Sequence, residues 1–155
     1  MLREGTQAPD FDAEMAGGER FQLSSYRGQK HVVLYFYPKD FTPGCTREAC
    51  SFRDNYSQVE EHDAVIVGVS HDSADSHASF RDRHELPFPL VPDPDKRIIK
   101  LYDADGFLGL TTARITYVID KEGTIRKAFR HDFAIARHLD DTLDALRSLS
   151  DVPAS

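Results

Sequence analysis

The run from His31 to Tyr37, HVVLYFY, is a nearly unbroken series of β-branched and aromatic side chains. A strand with one wet face alternates apolar and polar residues, so a run without alternation is the pattern of a strand covered on both faces. Ala64 to Val69 repeats it. Between the two lies Thr46 to Glu61, where Ala49, Phe52, Tyr56 and Val59 recur at three and four residues, the stripe of an amphipathic helix. The unit is therefore βαβ, with two central parallel strands, and it restricts the chain to the α/β class.

The remaining elements fit around that unit. Phe11, Ala13 and Met15 alternate before Ala16-Gly17-Gly18-Glu19, and Phe21 and Leu23 alternate after it, which predicts a hairpin decorating an edge. Asp72 and Ser73 offer N-caps for a second helix through His84, and Asp93-Pro94 opens a shorter one through Tyr102. The proline-broken Leu86-Pro87-Phe88-Pro89 separates them. Arg114 to Ile119 and Thr124 to Phe129 read as strands joined by Asp120-Lys121-Glu122-Gly123, and Ile135, Leu139, Leu143, Leu146 and Leu149 form a last helical stripe. Without repeats, low-complexity tracts or linkers, residues 1–155 are expected to form one domain, with the last residues, Asp151 to Ser155, frayed.

Charge removes several function classes. With 26 acidic against 19 basic residues, net -7, the chain lacks the cationic footprint that nucleic acid or anionic lipid requires. The longest strongly apolar stretch, Val32 to Tyr37, is far short of the roughly 18 residues of a spanning helix. The N-terminal MLREGTQAPDF has no apolar run of the secretory kind, so the cytoplasm is the expected compartment. Two cysteines there do not make a disulfide scaffold, and their spacing is wrong for a structural zinc site of four ligands. The seven histidines form no metal spacing; His71, His77 and His84 lie in a polar segment and read as solvated, and none, His131 and His138 included, is assigned chemistry.

The chemistry sits where the first core strand ends, because ligands of open α/β sheets bind beyond the carboxyl ends of strands. Pro43 and Gly44 break the strand direction and the apolar stripe starts straight after, which puts Cys45 at or near a first helical turn, facing backbone N–H groups without helical partners. An ordinary thiol, pKa about 8.5, is only a few per cent thiolate at neutral pH, and the thiolate is the nucleophile. Lowering that pKa by about two units takes roughly 2.7 kcal/mol, whereas a helix N-terminus typically supplies about 0.3 to 1. A cation should make up the difference, and arginine, always charged and forked, suits the task better than lysine. Cys50 adds a geometric consequence: five helical residues separate Cα atoms by roughly 8.6 Å, and a disulfide needs about 4.4 to 6.8 Å. If the two cysteines pair, the first turns of the helix must unwind.

These residues resemble the peroxiredoxins, of the bacterioferritin-comigratory or peroxiredoxin Q type. Pro38, Thr42 and Cys45 match that superfamily's P-x-x-x-T-x-x-C motif, and Cys50 stands at the offset of the resolving cysteine in many members of this branch. Further matches are Tyr35-Phe36-Tyr37-Pro38, Ser51-Phe52-Arg53-Asp54, Leu86-Pro87-Phe88-Pro89-Leu90 with Asp93-Pro94-Asp95, and Arg114-Ile115-Thr116 before Tyr117-Val118-Ile119-Asp120. The resemblance covers nearly the whole chain. It implies a thioredoxin-like fold, a central mixed β-sheet flanked by helices with the N-terminal hairpin as an extension. It also implies reduction of hydroperoxides with electrons from thioredoxin or a similar dithiol, without cofactor or metal.

The resemblance makes Cys45 the peroxidatic cysteine, oxidised to sulfenic acid, and Cys50 the resolving one, closing an intramolecular disulfide. Arg114 becomes the active-site cation, Thr42 a hydrogen-bonding partner of peroxide and thiolate, and Pro38 a shield against water. Glu48, one turn after Cys45, becomes the carboxylate that orients Arg114. Turnover needs no second subunit, so a monomer is expected. His71 after Ser70, and Leu110-Thr111-Thr112-Ala113 before the arginine, depart from the family pattern and bear on substrate preference. Read from local sequence alone, the alternatives are Thr42 as a helix cap, Pro38 as a strand terminator and Arg114 as a solvated strand-end charge. A disulfide-exchange protein is disfavoured because Cys-x-x-Cys is absent, and a non-enzymatic redox sensor remains an alternative.

Overall fold

A computed structural model of the chain describes residues 1–15, 18–109, 111–131 and 135–150. In chain order the strands are β1 (Asp12–Glu14), β2 (Arg20–Gln22), β3 (His31–Phe36), β4 (Ala64–Ser70), β5 (Leu90–Pro92), β6 (Ile115–Ile119) and β7 (Ile125–Arg130). The helices are α1 (Pro43–Asp54), α2 (Tyr56–Glu61), α3 (Ala74–His84), α4 (Arg97–Leu101) and α5 (Ile135–Ser150). Five strands form one mixed sheet in the order β5-β4-β3-β6-β7. The βαβ unit is parallel, His31 opposite Ala64 through Phe36 opposite Val69. On its other edge β3 pairs antiparallel with β6, Phe36 opposite Ile115.

The missing alternation in β3 has its cause in two apolar layers. Val32, Leu34 and Phe36 point to one face, where Ile98, Ile99, Tyr102 and the hairpin residues Phe11, Ala13, Phe21 and Leu23 cover them. Val33 and Tyr35 point to the other, and Tyr37 beyond the strand joins them, against Ala49, Phe52, Phe80, Leu143 and Leu146 of the helices. The hairpin differs from expectation in its attachment: β1 and β2 make a separate two-stranded sheet that lies over the core rather than extending an edge. Leu23 opens a 3-10 turn, Leu23–Tyr26, instead of continuing the strand, and two residues of the expected glycine turn, Ala16 and Gly17, fall outside the described residues, as do residues 151–155.

Two helix boundaries also depart from the sequence pattern. The expected helix from Thr46 to Glu61 breaks at Asn55, φ -116° and ψ 16°, where the side-chain amide joins the backbone N–H in donating to the Ser51 carbonyl, at 2.9 and 3.2 Å, and closes the helix end. The apolar stripe runs on into α2 through Tyr56 and Val59, which is why periodicity shows no break there. The short helix starts at Arg97 rather than Pro94, because Lys96 adopts a left-handed conformation, and the Asp93 carboxylate accepts from the Ile99 N–H at 2.8 Å. The second helix begins as expected, with Ser73 Oγ accepting from the Ser76 N–H.

Candidate active site

The chain leaves β3 at its carboxyl end and turns through residues 38–42 into α1, with Pro43 at the first helical position. Phe41 takes a left-handed conformation, φ 65°, in that turn. Asp40 pins the turn to the sheet: its N–H donates to Asp72 Oδ2 at 2.8 Å, and its carboxylate accepts from the Tyr37 hydroxyl at 2.6 Å and Ser76 Oγ at 2.8 Å. Burial pushes the Asp40 carboxyl above its ordinary range, against the nearby His77 and these hydrogen bonds. The anchored turn fixes where α1 starts, and hence the position of Cys45.

Cys45 lies in the first turn of α1 and is 2% exposed. Arg114 directly precedes β6, whose pairing with β3 carries it to the same sheet end. Its Nη2 donates to Cys45 Sγ at 3.3 Å and its Nη1 to Glu48 Oε1 at 2.7 Å. Glu48, one turn beyond Cys45 and buried, grips the other side: Oε2 meets Nδ1 of His138 on α5, also buried. Burial opposes the charge on Arg114, but Glu48 and Cys45 outweigh it and raise its pKa above the ordinary value. The phenol of Tyr35 is pushed well above its usual range by burial, with Glu48, Cys45 and Asp40 adding to the effect, so it stays neutral.

Thr42 and Pro38 are placed less directly. Thr42 occupies the N-cap position, yet its hydroxyl caps nothing and donates to the Lys39 carbonyl at 2.8 Å. Pro38 is half-buried just past the strand. Cys50 is half-buried on the same unbroken helix as Cys45, both thiols are free, and Cys50 Sγ lies 3.8 Å from Nδ1 of His84.

Two expectations for the histidines need correction. His77, expected to be solvated, is buried and bonded to Ser70 Oγ at 2.7 Å, and His138, assigned no chemistry, is buried against Glu48. The signal lay in helical phase: His77 precedes buried Phe80 by three residues, and His138 precedes buried Thr142 by four, so each falls on an inward stripe. Asp40, Asp72 and His77 bring three possible metal-ligand atoms within 4.8 Å of one another. Their hydrogen bonds with Tyr37, Ser70 and Ser76 already hold them together, so they read as a structural clasp under the turn.

The arrangement presents one buried sulfur to a fixed cation, backed by a carboxylate and an imidazole. A sulfur so placed can act as a nucleophile, and the guanidinium can stabilise charge on an oxygen leaving it. The model of the AhpC/TSA family matches residues 5–128. Peroxiredoxin Bcp of Bacillus subtilis is 41% identical over 155 aligned residues, covering 95% of this chain and 96% of the relative. A chloroplastic peroxiredoxin Q of Sedum lineare is 40% identical, covering 96% and 80%. Among solved structures, peroxidoxin BcpB of Mycobacterium tuberculosis superposes with a TM-score of 0.88 at 32% identity, covering 96% of this chain and 99% of that one. A Xanthomonas campestris bacterioferritin comigratory protein, described for alkyl peroxide reduction, gives 0.82 at 31% identity, covering 91% and 92%.

Proposed function

Because the chain belongs to the AhpC/TSA family, as a peroxiredoxin of the Bcp and peroxiredoxin Q branch, we propose that its thiol peroxidase chemistry runs through Cys45 with Arg114 as the charge partner. The observation that carries this assignment is the 3.3 Å contact from Arg114 Nη2 to Cys45 Sγ in a site closed to bulk water. The Cys45 thiolate attacks the terminal oxygen of the hydroperoxide. The S–O bond forms as the O–O bond breaks, the sulfur becomes sulfenic acid, and the alkoxide or hydroxide leaves beside the guanidinium to take up a proton. Glu48 and His138 hold the guanidinium in place. Pro38 narrows access for water, and Thr42, at the mouth of the turn, offers its hydroxyl to the peroxide.

Cys50 then attacks the Cys45 sulfenic acid, giving a disulfide within one chain and water, and thioredoxin or a similar dithiol reduces it by exchange. This second half is supported by the presence of both thiols on α1. It makes the enzyme an atypical two-cysteine peroxidase acting in a reducing compartment such as the cytoplasm. Rapid mixing of reduced protein with hydrogen peroxide tests the reading. Fast consumption of one equivalent, lost in Cys45→Ser and retained in Cys50→Ser, supports it. Consumption at ordinary thiol rates, or unchanged in Cys45→Ser, rejects Cys45 as the peroxidatic residue.

A further inference from the structure

Cys50 is built into a small polar junction that the first oxidation does not use. Its Sγ lies 3.8 Å from Nδ1 of His84, the last residue of α3. One turn along α1, Arg53 Nη1 donates to the His84 carbonyl at 2.7 Å and ties the end of α3 to α1. The imidazole is seated edge-on against Phe80, ring centroids 5.1 Å apart, with the Phe41 ring at 6.5 Å on the loop side. Among the described residues, charged groups on the elements that meet here include Arg53, with Asp54 and Glu85 acting on that guanidinium, and Arg81 and Arg83 in the last turn of α3.

We propose that His84 is the proton acceptor for Cys50 in the resolving step; this deepens the reading above and rests on Cys50 being the resolving cysteine. With its proton on Nε2, His84 offers the Nδ1 lone pair to the Cys50 thiol. The Cys50 S–H proton moves to Nδ1 and the Cys50 thiolate attacks Cys45 Sγ of the sulfenic acid. The S–S bond forms, the S–O bond breaks, and the departing hydroxide is protonated by the imidazolium to water. The Cys45 sulfur is reduced by the amount the Cys50 sulfur is oxidised, and no outside electron donor enters. The Arg53–His84 tie holds the Cys50 end of α1 in place while the turn carrying Cys45 unwinds toward it.

An unassisted thiol of ordinary pKa, about 8.5, is roughly 3% thiolate at pH 7 and mostly ionised above about pH 9. Loss of the base therefore slows resolution at pH 7 by at most about 30-fold, and the deficit closes as the pH rises. Cys45–Cys50 disulfide formation is to be followed after one equivalent of peroxide by rapid quench, thiol alkylation and mass spectrometry, since the chain has no tryptophan to report it. His84→Phe keeps an aromatic ring against Phe80, and His84→Asn guards against a folding defect in the first variant. The expected result is a 10- to 30-fold slower disulfide step at pH 7 in both, converging on the unmodified protein near pH 9. An unchanged step at pH 7, or slowing of the same size at both pH values, overturns the role of His84 while leaving Cys50 as the resolving residue. A sulfenic acid that forms on Cys45 and never pairs with Cys50 in the unmodified protein overturns both.

Discussion

Removing one side of the Arg114–Glu48 pair should unfold the protein more readily than removing both. At 2.7 Å the gross attraction is about 6 kcal/mol at an effective dielectric near 20, and both groups are buried, at 6% and 1% exposure. Arg114→Leu leaves the Glu48 carboxylate buried beside Cys45, and Glu48→Leu leaves the guanidinium without its carboxylate. Each single variant should lose about 3 to 5 kcal/mol. At roughly 2 to 4 °C per kcal/mol for a chain of this size, the melting temperature falls by about 6 to 20 °C. The double variant places apolar side chains on both sides and leaves His138 Nδ1 and Cys45 Sγ without these partners, a deficit of about 1 to 3 kcal/mol. Urea unfolding followed by circular dichroism should therefore rank the double variant above either single one. With Arg114 as the proposed charge partner, peroxide attack should fall about 100- to 1,000-fold in the double variant and in Arg114→Leu alike. Additive stability losses would refute the argument that the pair is held by mutual neutralisation, and near-normal peroxide attack in the double variant would refute Arg114 as the charge partner.

His138→Leu removes the Glu48 contact without touching the sulfur, so peroxide attack should fall by less than in Arg114→Leu, and His138→Gln, which restores a donor, should recover part of the loss in stopped-flow assays. Gly68→Ala puts a Cβ 2.8 Å from Leu90 Cδ2 and 2.9 Å from a Tyr35 ring that Tyr37 and Phe52 hold from other sides, and it should cost about 1 to 3 kcal/mol in denaturant unfolding. Gly44→Ala raises helix propensity in the turn that the proposed disulfide requires to unwind, by about 0.5 to 1 kcal/mol, and should slow disulfide formation about two- to fivefold relative to sulfenic acid formation. Hydrogen bonds from Lys121 and Lys30 lower Asp63 to about 2, so an NMR titration should find it there, and Lys121→Met should move it back toward the ordinary carboxylate range. Because the folded value is depressed, this contribution to stability is complete above about pH 4 and disappears as the pH falls toward 2.

The legible part of the fold was the part whose burial is two-sided. The strand from His31 carries apolar residues in both phases because both sheet faces are covered, and that property is written in consecutive residues. The break at Asn55 was not, since apolar phase continues across it while a single side-chain amide adds a second bond to the Ser51 carbonyl. The hairpin pairing was readable from alternation, whereas its seat over the core depends on Ile99, Tyr102 and Phe36, far along the chain.

The candidate site divides along the same line. Cys45 is local, since a strand end, two helix-starting residues and an apolar stripe fix its position within a short segment. Arg114 is not: it reaches the sulfur because β6 pairs antiparallel beside β3, a neighbour relation spanning 69 residues that no local pattern encodes, and at sequence level only family resemblance pointed to it. His84 reads as solvated from the polarity of its segment and His138 carries no assigned chemistry, because neither is placed against the buried stripe of its helix. What decides a helical side chain's surroundings is its phase relative to the buried stripe, and both fall three or four residues from inward-facing positions, His84 four after Phe80 and His138 four before Thr142. A polar residue in that phase must find a partner or leave the fold less stable, and here the partners are Glu48 beside one cysteine and the other cysteine itself. The two imidazoles thus reach the two sulfurs by different routes, one through a carboxylate and a guanidinium, the other in direct contact. For that reason loss of His138 should register in the attack on peroxide and loss of His84 in the closing of the disulfide.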